Sequence, residues 1–152
     1  MIMADPLQEL MERFRQAGCR DPEGWASSEI QHGIPQFARF VFLRELWKCA
    51  ASRGSHEWLR HLDLPNDDGK GGVKRRLKES TASIDDLTEL VRAAQAEVVR
   101  NVAYLLDGYV PDEDLVEKIR WGLFELDDDL KPARELDGLH ESVDDDEFHS
   151  FR

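Results

Sequence analysis

The chain has 152 residues, 41% hydrophobic and 34% charged, with four tryptophans and seven phenylalanines; that length fits one domain with its own core, and the aromatics exclude a chain too polar to fold. Its net charge of −12 is concentrated, with 13 Lys+Arg against 12 Asp+Glu in residues 1–80 and 7 against 20 in residues 81–152. Such an acidic half argues against nucleic-acid or anionic-membrane binding, since both need lysine and arginine.

Asp5 and Pro6 predict the start of a first helix and Gly18 its end, with Leu7, Leu10, Met11, Phe14 and Ala17 on one stripe. "RDPEGWASSEI" reads as a turn with one short helical piece around Trp25. Pro35 opens a second long helix running to Gly54, and its apolar residues, Phe37 to Trp47, cover so much of its circumference that it should be the most buried element. Ser55 caps a short helix carrying Trp58, Leu59 and Leu62. "DLPNDDGKGG", residues 63–72, is a loop and the one internal hinge. A basic island follows, "VKRRLKES".

Ser83 then begins the longest helix, with Asp86 at the capping-box position. Its apolar stripe is Ile84, Leu87, Leu90, Val91, Ala94, Val98, Val102, Leu105 and Leu106, ending at Gly108. "DEDLVEKI" suits a short helix, "RWGLFEL" a strand, and "ARELDGL" its returning partner across the turn at Asp127–Pro132. The whole is mainly α (α+β): a single-domain helical bundle with a small C-terminal β-hairpin, residues 1–140. Residues 141–152 read as a short helix or a frayed, disordered acidic tail, because Asp144, Asp145, Asp146 and Glu147 repel one another.

Several constellations fail as chemistry. "HEWLRH" spaces His56 and His61 five apart, about 140° of helical rotation, so both cannot reach one zinc ion. An EF-hand loop begun at Asp127 would put Pro132 where glycine belongs and Gly138 where glutamate belongs. "DDGKGG" lacks the hydroxyl residue of a phosphate loop; Lys70, Lys74, Arg75 and Arg76 are at most a weak anion site. No metal site or cofactor is expected. Cys19 and Cys49 read as reduced thiols. The short apolar runs do not span a bilayer, and "MIMADPLQEL" has no secretory-signal pattern, so the expected compartment is the cytoplasm.

In its general make-up the chain resembles small bacterial immunity or inhibitor proteins, which neutralise a partner by binding it; the likeness is one of composition. The first expectation is therefore a cytoplasmic interaction protein, not an enzyme, whose acidic C-terminal half binds a basic protein surface. The predicted contact residues are Glu125, Asp127, Asp128, Asp129, Glu135 and Asp137, with Trp121 supplying apolar contact. The first alternative is a small hydrolase-like enzyme using His140 and Glu141 as an acid–base pair. The second is a structural or regulatory subunit that self-associates through the apolar helix after Pro35.

Overall fold

The computed structural model describes residues 5–61, 72–108 and 122–148. Two Asp-Pro steps start its first two helices. In α1, Pro6–Gln16, the Asp5 side chain accepts from the Leu7 amide at 3.1 Å. In α2, Pro22–His32, Asp21 accepts from the Gly24 amide at 3.0 Å, and Gly33 closes the helix in the left-handed conformation. The sequence suggests only a short piece around Trp25, whereas α2 has eleven residues. Its serines and Gly24 hide the helical period, but its Asp-Pro start repeats that of α1.

Helix α3, Gln36–Lys48, ends well before Gly54, with Cys49 at its C-cap. Phe40, Leu43 and Trp47 on α3 and Phe14 on α1 are at most 1% exposed, so this helix is the centre of the core as expected. Phe14 stands 5.7 Å from Phe40 and 5.1 Å from Phe37 in edge-on contacts, and Trp25 lies 5.7 Å from Phe40. Each such pair adds about 0.5–1.5 kcal/mol to simple burial.

Two short helices, α4 (Trp58–His61) and α5 (Val73–Glu79), precede α6, Ile84–Leu106. Ser83 caps α6, accepting from the Asp85 and Asp86 amides at 3.2 Å. Its most buried residues are not those of the predicted stripe, of which Ile84, Leu87, Val91, Val102 and Leu106 are half-buried. Thr88, Arg92, Val99 and Ala103 point inward, while Leu90 and Val98 are 67% and 60% exposed. Hydropathy misplaces that face because two buried positions are polar and satisfied. The Thr88 hydroxyl accepts from Trp58 Nε1 at 3.1 Å, and Arg92 donates to the Ala51 carbonyl.

The predicted hairpin is present. Strands β1 (Phe124–Leu126) and β2 (Pro132–Glu135) pair antiparallel with Glu125 opposite Arg134, and the register shifts after Glu125. The Leu136 amide donates to the Leu123 carbonyl at 2.7 Å, and Leu136 is buried. Two strands are marginal alone; here they lean on the helices.

Residues 139–148 form α7, Leu139–Ser142, and a 3₁₀ turn, Asp146–Phe148. The acidic run reads in the sequence as extended and solvated, but Leu139, Val143 and Phe148 are at most 1% exposed and belong to the core. Self-repulsion is overcome because the helices offer donors to this segment. Trp47 Nε1 donates to the Val143 carbonyl at 2.8 Å, and Arg100 grips Asp144 at 2.9 Å. Glu147 accepts from the Arg20 and Asp21 amides, placing its carboxylate at the N-terminus of α2, where the helix dipole favours it. Among the described residues no helix is long and apolar enough to cross a membrane. The expected loop 63–72 lies outside the described residues except for Gly72.

Candidate functional site

Where the α2–α3 turn, the end of α6 and the β2–α7 connection meet, the fold leaves a polar cavity of about 730 Å³. Asp107 stands at the C-cap of α6, with its side chain wholly shielded. Its Oδ2 accepts from the His140 backbone amide and meets His140 Nδ1, both at 2.7 Å. A carboxylate can only accept, so the Nδ1 proton belongs on the histidine, and the second ring nitrogen is left as the basic one in the neutral form. The His140 ring also lies tilted against Tyr104, with ring centres 5.0 Å apart.

Behind this pair lies Arg39, 5% exposed on the core-facing side of α3. It donates to the Gly138 carbonyl and, at 2.9 Å, to the Ser142 hydroxyl. Burial lowers the Arg39 pKa, and the carboxylates of Glu141, Asp107 and Asp137 pull it back up. Gly138 suits this position because its φ is +71°, and a Cβ there would also crowd the Arg39 guanidinium at 3.1 Å. Two buried polar atoms in this neighbourhood have no hydrogen-bond partner among the described residues, Asp107 Oδ1 and Arg39 Nε.

Arg134 connects the cavity to the hairpin. It donates to Glu125 at 2.6 Å and to Glu29 at 2.8 Å, and the Glu125 bond foremost raises its pKa. Glu29 also accepts from the Phe37 amide at 2.8 Å, so one chain of bonds runs from β1 through β2 to α2 and α3.

The expected contact residues divide between two roles. Glu125 is held by Arg134. Asp127 is a turn residue: its Oδ1 accepts from the Asp129 and Lys131 amides at 2.9 Å. Asp129 pairs loosely with Lys131 at 3.4 Å. Asp128, Glu135 and Asp137 are exposed, although Asp137 also accepts from the Gly138 amide. The carboxylate against His140 is Asp107, while Glu141 faces Arg39.

Trp121 and Lys70 lie outside the described residues, as does the side chain of Lys74; Arg75 is paired with Glu79 at 3.1 Å. Asp107, Arg39 and Arg134 were not singled out from the sequence. Only Arg39, a lone cation among the phenylalanines of "FARF", carries a signal there. Among the described residues no three His, Cys, Asp or Glu side chains converge to hold a metal.

Three apolar side chains of the hairpin are exposed, Phe124 by 40%, Leu126 by 52% and Leu130 by 77%. Leu130, at the tip, is the sole non-glycine among the described residues with positive φ, 62°. Comparison of the chain with protein-family models, curated proteins and solved structures found no match.

Proposed function

We propose that this chain acts by binding, with a basic protein surface docking on the hairpin and the acidic rim beside it. One observation carries this reading. Phe124, Leu126 and Leu130 are exposed on the same short hairpin that carries Asp127, Asp128 and Asp129. Apolar contact supplies most of the energy in such an interface, and the acids set encounter rate and orientation. The rim continues through the exposed Glu135, Asp137 and Glu141. This arrangement suits an inhibitor or immunity-like protein that works by covering a basic site on its target.

Affinity capture at two salt concentrations tests the reading, with Asp128→Lys and Leu130→Asn run beside the native chain. A captured protein with a basic surface, lost at high salt and lost from both variants, is the expected result. Equal capture by all three chains sinks it.

A second reading has its own observation, the Asp107–His140 pair on the wall of a cavity. There His140 is a general base oriented by Asp107, in a small hydrolase-like enzyme. Hydrolysis of an ester, amide or phosphoester that disappears in His140→Gln supports it; no turnover across such a panel retires it.

A further inference from the structure

We infer that a second cavity, between α4, α5 and the start of α6, binds an apolar carboxylic acid. Carbon side chains hold its chain or ring, and Arg60 holds its carboxylate. The site is separate from the hairpin and goes beyond the docking reading. Its volume is about 610 Å³, within the roughly 300–1,000 Å³ that small-molecule sites span. Trp58, Leu59, Leu77, Ile84 and Leu87 line it. All five are half-buried, yet none belongs to the hydrophobic core or packs against it. These side chains gather around a space instead of closing on one another, which leaves contacts for a ligand to complete.

Hydrogen bonds fix the walls of this cavity. Trp58 Nε1 donates to the Thr88 hydroxyl at 3.1 Å, so the indole has only carbon left to offer. His56, which also lines the cavity, meets Asp85 at 3.0 Å and ties the approach to α4 to the first turn of α6. The Ser80 hydroxyl donates to the Leu77 carbonyl at 2.8 Å and accepts from the Ala82 amide at 3.3 Å, closing the end of α5.

Arg60 sets the charge of the ligand. It lines the cavity, is exposed, and makes no ion pair among the described residues. The chain has 32 acidic residues, but none of the described lining residues is one of them. A lone guanidinium beside carbon walls, with no carboxylate in the lining, favours an anion with an apolar body. A cation would be repelled by Arg60, and a wholly polar anion would be desolvated against carbon without return.

The test uses the full chain, isotopically labelled for NMR at neutral pH, with octanoate as the probe. Controls are octanol, which lacks the charge, octyltrimethylammonium, which reverses it, and acetate, which lacks the chain. Octanoate should give saturable shifts at the Trp58 indole N–H and at the amides of Leu59, Leu77 and Leu87. Octanol should bind there about tenfold more weakly, the ammonium more weakly still, and acetate not at all. Arg60→Gln changes an exposed residue outside the core, so it should fold as the native chain does. In that variant the affinity for octanoate should fall to that for octanol, with octanol unchanged.

Equal affinity for octanoate and octanol, or for octanoate in Arg60→Gln and the native chain, overturns the choice of an acid. Octanoate shifts that centre on the hairpin, or that rise linearly without saturating, overturn the site itself.

Discussion

Leu130→Asn should make this protein more stable, although it removes a large apolar side chain. Leu130 holds φ at 62°, the left-handed region, which costs an ordinary L-residue about 1–2 kcal/mol. Complete burial of a leucine returns about 1.5–3 kcal/mol, but this side chain is 77% exposed, so roughly 0.5 kcal/mol is recovered. Asparagine tolerates the left-handed conformation and keeps the Leu130 amide bond to the Asp127 carbonyl, 2.9 Å in the native turn. The net expectation is a gain of about 0.5–1 kcal/mol, or roughly 1–4 °C in Tm. Glycine should gain less, since its unfolded-state freedom costs about 0.5–1 kcal/mol. Urea unfolding followed by tryptophan fluorescence reads this directly, with an unchanged m-value guarding the comparison. A loss of 1 kcal/mol or more in Leu130→Asn would show that the leucine has a packing role, and the case for Leu130 as an outward contact would go with it. A gain in stability joined to loss of the captured partner is the signature of a residue retained for binding at a cost to the fold.

The neighbouring aspartates should differ sharply. Asp127→Ala removes the acceptor of two backbone amides and should cost about 1–2 kcal/mol in urea unfolding, whereas Asp128→Ala should stay within about 0.5 kcal/mol; equal values would contradict the turn geometry. Phe148→Ala empties a site that is 0% exposed, with a ring 5.4 Å from Phe40, and should cost about 3–5 kcal/mol, lowering Tm by roughly 10 °C. A solvated tail would show no change. Burial, with help from Glu147, pushes the Cys19 thiol up to about 12. An unfolded thiol ionises near pH ~8.5, so this contribution to stability is intact below that pH and drains away as pH rises toward 12. At pH 8.5 a thiol reagent should modify only the exposed Cys49 in the native protein and both cysteines in denaturant; equal native rates would refute the burial.

Helix starts were legible where a capping side chain is followed by a clear apolar period; Asp21-Pro22 caps α2 in the same way, but no such period follows it. Asp5-Pro6 and Ser83 mark α1 and α6 to the residue, and the hairpin follows from Gly122, the aromatics and the turn at Lys131-Pro132. Residues whose partners are remote were not legible. Thr88 and Arg92 are polar, yet they occupy the buried face of α6 because Trp58 and Ala51 complete their hydrogen bonds. Leu90 and Val98 fit the same helical period and face outward. The cavity illustrates the limit still better. Asp107 and His140 are 33 positions apart, and "LLDGY" reads as nothing more than a helix end. Glu141 was the natural partner for His140 in the sequence, but adjacent residues on a helix do not face each other.

The side chains that fix the C-terminal segment also determine which acids remain for a partner. Arg39, Trp47 and Arg100 from the helices and Arg20 from the α1–α2 connection each reach residues 138–147, and Asp107 holds the first turn of α7. Those bonds consume Asp144 and Glu147, while Arg134 consumes Glu125 and the tip consumes Asp127. The net charge therefore overstates what a basic surface would meet. Asp128 and Glu135 are exposed, with no ion pair among the described residues, and they lie on the hairpin and the cavity rim, whereas the exposed Glu141 supports the buried Arg39. Reversing Asp128 or Glu135 should slow association and leave the unfolding curve unchanged, since exposed unpaired charges contribute little to stability. Reversing Glu125 or Glu147 should instead unseat the elements that shape the site, so binding and stability would fall together.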